Sequence, residues 1–584
     1  VRRRLVVVAV VVVLALSAGV RLYHLGTPKS YIFDEVYYAK DARTILKANV
    51  GPTDKTFPWE PGKEVSWPHP EWGKFLIAGG ILLFGDNAFG WRIMSAVAGL
   101  VMVAAVYPLA RRLGLSPTWA LLALTLAAAD TLSITQSRIA TLDIFVGVWT
   151  VLCLWFALRY AQDGHRLRWL VLCGLAGGLA LGTKWSGAYT LLAALVLLFL
   201  LRKRDRAEPQ TGTWQRALRA GRAALAPLAL LVLVPLVLYV ASYWEYFLTG
   251  HTLAQWRELQ RQMLEFNLHL HAPHTYASTA PTWIADYRPV WYYFVSKNEV
   301  VRGVVSIGNA FLWWSALACL LVLPFVALLR RRRGLVTAPL LVALLYFPWF
   351  VETRTSFMFY MTPVAPFMAV LVATAFAAAS GVEVRLPEHP PWDLSLEEGW
   401  PRGGTGEEPT TARDRTVGPE RPGLVPTEDV GAHGSPDGKA RVGWVLPAQG
   451  DLWPILLFAV GLAVMTLFWY RIGRAVDVLF WTLPGAALVG ERLAHLQREL
   501  LVAAQDSHGP GRLAWTVAGV VVVLAIVLLI AVFTLRLPRR LWRQLLLLWS
   551  GAIVGWAVVF LPIVLALAIS SAHFYRLMWF GSWI

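Results

Sequence analysis

Apolar runs long enough to cross a membrane recur along most of this chain, with arginine and lysine gathered at their ends. Such a run matches the ~30 Å hydrocarbon core of a bilayer, where every backbone polar group must be satisfied within a helix. Of 584 residues, 57% are hydrophobic and 15% charged, too few charges for a soluble globular surface, where they make up about a quarter. The expected fold class is therefore all-α, a polytopic transmembrane helical protein of about 11–13 spans. Cys153, Cys173 and Cys319 lie inside apolar runs, which excludes a disulfide scaffold. The net charge of +17 reads as topology signalling in the bilayer rather than a nucleic-acid footprint, and the 29 Trp and 18 Tyr suit interfacial belts. No nucleic-acid partner is expected.

Leu5 to Val20, between Arg2–Arg4 and Arg21, has features of a signal peptide but fits an uncleaved first helix better. Further spans are expected at 88–110, 117–136, 139–160, 168–183, 186–202, 223–244, 309–330, 336–350 and 358–380. Arg111-Arg112, Arg159 to Arg168, Arg202 to Arg222 and Arg330 to Arg333 fall in alternate connections, which makes those cytoplasmic. Parity then leaves 21–87, the 137–138 and 183–187 corners, 245–308 and 351–357 on the outer face, and chemistry is to be sought in those loops. Three regions follow: a transmembrane core over 1–380, where the chemistry is expected, a Pro-, Gly- and charge-rich disordered cytoplasmic insert over 381–450, and a C-terminal transmembrane segment over 451–584. The last has spans near 452–470, 513–534 and 545–569, and an amphipathic or re-entrant stretch over 471–512.

The first outer loop carries the densest chemistry. Asp34 and Glu35 follow helix 1 within YIFDEVYY, framed by Tyr31, Phe33, Tyr37 and Tyr38. Partial desolvation among aromatics raises a carboxylate's pKa and makes it a better base; the competing role is an N-cap for the helical pattern that follows. His69 and Lys74 are presented by a stiff Pro-rich approach, either to an anionic headgroup or, for Lys74, to snorkel from a helix start. Arg138 lies between two spans with Asp143 as candidate counter-charge, Lys184 occupies the next outer corner, and Arg354 the one before the 358–380 span. Cations on the same face as an acidic pair suit a phosphate-linked substrate, though a proton relay or ion path in a transporter also uses intramembrane charges.

His251, His269, His271 and His274 in the second outer loop raise a zinc hypothesis, but the helical ligand spacings are absent and no carboxylate accompanies the cluster closely, so no metal is assigned. Nucleotide-binding loops, dinucleotide glycine patterns and a serine-hydrolase elbow are absent as well.

In order, the outer-loop Asp-Glu, HPEWGK, GDNAFGWR, SRIATLD, TKWSG, HTYAS, RPVWYY, IGNAFLWW, FYMTPVAPF and FYRLMWFGSWI resemble the protein O-mannosyltransferases of the lipid-donor, C-type glycosyltransferase superfamily. Glu71-Trp72 stands where the family commonly shows Pro-Leu, HTYAS replaces HPYxS, and Asn267 stands where a His is often found. The outer loops leave no room for the β-trefoil domain of eukaryotic members, so the resemblance is to the bacterial type. It implies transfer of mannose from a polyprenyl-phosphate-mannose lipid to Ser or Thr hydroxyls of secreted or translocating proteins, at the extracytoplasmic face of the cell membrane. Asp34 would be the catalytic base and Glu35 would orient it. Arg138 would stabilise the donor phosphate, aided by His69, Lys74, Lys184 and Arg354, in one inverting displacement. No cofactor beyond the lipid donor is expected. The alternatives are a related transferase acting on a lipid or polysaccharide, and a transporter or flippase of polyprenyl-linked cargo.

Overall fold

The computed structural model describes residues 2–48, 67–201, 213–270, 272–329, 333–352, 354–386, 539–578 and 583. His271, nearly all of the 381–450 insert, and the expected segments 452–470, 471–512 and 513–534 lie outside the described residues. The N-terminal half runs α1 (Arg2–Leu22), α2 (Glu35–Ala48), α3 (Trp72–Phe84), α4 (Ala88–Arg112), α5 (Pro117–Ala128), α6 (Thr131–Gln136), α7 (Asp143–Gln162), α8 (Leu167–Leu181), α9 (Gly187–Leu201) and α10 (Thr213–Ala241). There follow α11 (Trp244–Leu248), α12 (Leu253–His269), α13 (Ala280–Trp283), β1 (Val290–Lys297), β2 (Val300–Ser306), α14 (Ala310–Leu329), α15 (Thr337–Tyr346) and α16 (Ala365–Ala379). The described part closes with α17 (Arg539–Val564), β3 (Ile569–Ser570) and α18 (Ser571–Leu577).

Among the described residues, five helices are long and apolar enough to cross a bilayer, within α1, α4, α7, α14 and α17, and shorter apolar helices of 10–17 residues stand beside them. This is a multi-pass membrane architecture, helical as the apolar runs require. α16 is buried along nearly its whole length, from Ala365 to Ala378. Leu5, Val8, Leu16, Leu547 and Leu548, by contrast, are exposed on α1 and α17, as lipid-facing positions are in such a fold.

Two local differences from the sequence reading have physical causes. The expected 117–136 span is broken, because Asp130 accepts the Ser133 N–H at 2.8 Å and starts α6 as a new helix. The 21–87 segment contains the apolar α3, at 13 residues too short to read as a span. It packs on α4 through glycines: a Cβ on Gly80 would come within 2.4 Å of the Gly90 carbonyl oxygen.

The expected outer segment 245–308 also holds strand. β1 and β2 form an antiparallel hairpin, with β3 adding to β2 in the order β1-β2-β3. Its two-residue turn places Asn298 and Glu299 at φ 50° and 63°, the paired left-handed geometry of a type I′ turn, in which glycine usually takes the second place. Trp583 locks the hairpin to the bundle. It accepts from Trp291 Nε1 at 2.7 Å through its carbonyl and donates its own indole N–H to the Asp286 carbonyl at 2.8 Å. Around it pack Trp556, Phe560 and Phe574.

Candidate active site

The loop from α1 to α2 is held by one buried ion pair. Arg92 of α4 donates to both Glu35 carboxylate oxygens, at 2.6 and 2.7 Å, and to the carbonyls of Leu25, Pro28 and Ser30. Glu35 also accepts the amides of Ile32 and Ala140, which ties the start of α2 to the corner before α7. Both side chains are 0% exposed. Glu35 thus has four donors on its carboxylate and acts on the loop's shape.

Asp34 is presented differently. Phe33 before it takes a left-handed backbone, φ 48°, a costly conformation for a bulky residue. Its ring is held by stacking on Tyr292 at 4.4 Å and by an edge contact with Phe359 at 5.6 Å. Asp34 sits at the N-cap position of α2, its carbonyl accepting the amides of Tyr37 and Tyr38. Its carboxylate makes no capping hydrogen bond and has no hydrogen-bond or ion-pair partner among the described residues. It is half-buried. Desolvation by burial pushes its pKa up to about 7, with Lys184 drawing it down and Asp143 pushing it further up. A carboxylate that is accessible, unpartnered and titrating near neutrality is suited to take a proton.

The other expected residues converge on this point to different degrees. Lys184 lies close enough to influence Asp34, with its ammonium 2.9 Å from Asp143 and 4.1 Å from the Tyr360 ring centroid. Asp143 therefore pairs with Lys184, and not with Arg138 as the sequence separation suggests. Arg354 donates to Asn267 and, at 3.1 Å, to the Tyr360 hydroxyl, so Tyr360 joins the two cations. His69 is half-buried and lies 6.2 Å from the Tyr38 ring. Burial first, and then Lys184, Arg354 and Lys74, lower its pKa well below the usual value and keep it neutral.

Arg138 and Lys74 are more committed. Arg138 donates one guanidinium nitrogen to the Val20 and Arg21 carbonyls at 2.9 Å, capping the end of α1. Lys74 lies 3.0 Å from Asp41 and 2.9 Å from Glu71, buried beneath the site rather than snorkelling to the surface. Glu71, one of the positions departing from the family pattern, is thus half of a carboxylate pair holding that ammonium. The three described histidines of the second loop, His251, His269 and His274, do not converge. His269 bonds the Glu265 carbonyl, His274 accepts the Tyr276 amide and His251 stacks on Tyr246 at 4.1 Å. No group of three metal-ligating side chains occurs among the described residues.

Sequence reasoning did not assign roles to Arg92, Tyr292 or Tyr360. Each lies in a segment that carried the family resemblance, yet each reaches its partner across the fold, as Arg92 does to Glu35 over 57 positions.

The chain matches known proteins over its membrane core. Residues 68–239 match the family described as dolichyl-phosphate-mannose-protein mannosyltransferase, and 252–387 the C-terminal four-transmembrane region of protein O-mannosyltransferase. The polyprenol-phosphate-mannose–protein mannosyltransferase of Corynebacterium glutamicum is 27% identical over 60% of this chain and 77% of its own length. That of Mycolicibacterium smegmatis is 29% identical over 62% of this chain and 80% of its own. Among solved structures, the S. cerevisiae protein O-mannosyltransferase Pmt1–Pmt2 complex bound to the sugar donor shares the fold, with a TM-score of 0.61 at 12% identity, over 99% of this chain and 92% of that one. Fold and matches together define a multi-pass membrane glycosyltransferase. Within that class the chain belongs to the protein O-mannosyltransferase family.

Proposed function

We propose that this enzyme transfers mannose from a polyprenyl-phosphate-mannose donor to Ser or Thr hydroxyls of secreted or translocating proteins, at the extracytoplasmic face of the membrane. Asp34 takes the hydroxyl proton as the oxygen attacks the anomeric carbon from the side opposite the phosphate. The carbon–phosphate oxygen bond breaks in the same step, the configuration inverts, and polyprenyl phosphate leaves with both bonding electrons. The observation that carries this reading is the free Asp34 carboxylate, its pKa near 7, close to the Lys184 ammonium, with Arg354 joined to Lys184 through Tyr360. Phosphate is a good leaving group once its charge is met, so a base and fixed cations suffice.

Lys184, Arg138 and Arg354 supply that positive charge, and His69, kept neutral, adds a hydrogen bond. Glu35 and Lys74 are positioning residues, the first through Arg92 and Ala140, the second through Asp41 and Glu71. An outer position for the Asp34 loop is supported by the basic residues gathering in alternate connections, which marks those connections as cytoplasmic.

The test uses purified enzyme in detergent with polyprenyl-phosphate mannose and a Ser/Thr-rich peptide. Mass spectrometry is expected to find one hexose added, and NMR an inverted anomeric linkage. Intact peptide with consumed donor would move the acceptor to a lipid or polysaccharide. Because side-chain cations meet the phosphate, dialysis against EDTA is expected to leave the initial rate within about twofold of the untreated enzyme; a rate restored only by added divalent cation would contradict this.

A further inference from the structure

β1 leaves the site as an edge strand whose second edge is unpaired among the described residues. Its first residues are buried, and a bulge between Trp291 and Tyr293 interrupts the ladder at Tyr292. Tyr292 is thereby set against Phe33, next to Asp34, with its hydroxyl accepting from Gln136 at 3.1 Å. From there the strand runs outward. Phe294 and Val295 are 48% and 43% exposed, and Ser296 and Lys297 are exposed too.

Among the described residues β1 pairs only with β2, and no other backbone or side-chain group bonds to its main chain. Exposed edges are usually blunted by charge, proline or a bulge. Here the bulge is at the buried end, and the exposed stretch from Phe294 to Lys297 holds no proline and carries charge only at Lys297, beside the turn. Such an edge is a template for an extended chain.

We propose that the free edge of β1 binds the acceptor polypeptide as an added strand and leads its Ser or Thr to Asp34. This rests on the protein-acceptor reading above and specifies how the acceptor is held. A strand rises about 3.3 Å per residue, so Tyr293 to Lys297 spans roughly 13 Å, enough to register a short peptide whose next residues reach the site. Recognition runs through main-chain groups, which every sequence supplies. Side-chain preference is then confined to alternate positions facing Phe294 or Val295.

The experiment uses the full-length enzyme and a series of single-Ser acceptor peptides, each with one backbone amide N-methylated. An added strand donates only every second amide to the edge. Methylation at one set of alternate positions is therefore expected to raise the acceptor KM about tenfold, with the intervening set near the unmodified value. In parallel, Phe294→Pro and Val295→Pro are compared. Strand amides alternate sides, so one variant loses a ladder bond and melts lower, while the other loses an outward N–H. The variant that keeps its Tm is expected to raise acceptor KM with kcat at saturating peptide unchanged. A methylation profile without a period of two, or unchanged KM in the stable proline variant, overturns the strand proposal while leaving mannose transfer intact. Failure to mannosylate even the unmodified peptide overturns the protein-acceptor reading and this inference with it.

Discussion

Asp34→Asn is expected to lower kcat for mannose transfer about 10³-fold, within the 10²–10⁴ range supplied by a positioned general base, while making the protein more stable above neutral pH. The amide keeps the shape of the carboxylate but has no basic oxygen pair to accept the acceptor's proton. Stability moves the other way because the folded protein raises the Asp34 pKa to about 7 from the ordinary 3.8. The protonated acid is favoured on folding, a contribution present below the unfolded pKa and lost as pH rises through about 7. At pH 8 the ionised carboxylate is a burden on the native state that asparagine lacks, so the variant's Tm is expected to be several degrees higher. Near pH 4 the two curves should meet. A melting series from pH 4 to 8 beside an initial-rate assay checks both halves. A variant that melts lower at pH 8 would mean that Asp34 holds the loop together instead.

Removing either partner of the Glu35–Arg92 pair is the second large effect, and it should fall on stability. Each side chain is wholly buried, and Arg92→Ala would strand a carboxylate with only the Ile32 and Ala140 amides to meet its charge. Breaking a buried pair in this way costs ~3–5 kcal/mol. It also frees the Leu25, Pro28 and Ser30 carbonyls and unties the start of α2, so the remaining folded enzyme should lose activity through a misplaced Asp34. Glu35→Leu combined with Arg92→Met removes both charges and is expected to recover much of the melting temperature without recovering activity. Thermal unfolding of the two singles and the double gives the coupling directly. An Arg92→Ala protein that melts like wild type would mean the pair carries little.

The two adjacent carboxylates are held differently, and in the sequence only the family resemblance, not the residues themselves, divides them. Asp34 and Glu35 share one motif and one aromatic frame, and what separates them is a partner on α4. The membrane architecture was legible because lipid imposes a long apolar run on every span. The breaks inside it were not, since the α5–α6 break depends on Asp130 turning its side chain to the Ser133 amide. The β-hairpin was hidden for a related reason. Its turn places Asn298-Glu299, rather than the usual Asn-Gly, in left-handed backbone, so no turn signal marks the outer segment. Of the expected cations, Lys184 and Arg354 meet at Tyr360, and the pairing of Asp143 was not legible. Asp143 lies five positions from Arg138 and 41 from Lys184, yet the fold gives it to Lys184.

The most direct test of Asp34 as the base is the pH dependence of kcat/KM for mannose transfer between pH 5 and 9, measured within the range where the enzyme is folded. The wild-type profile is expected to show an acid limb of unit slope with an apparent pKa near 7, absent from the residual activity of Asp34→Asn. A wild-type rate flat down to pH 5, or the same limb persisting in Asp34→Asn, would contradict it.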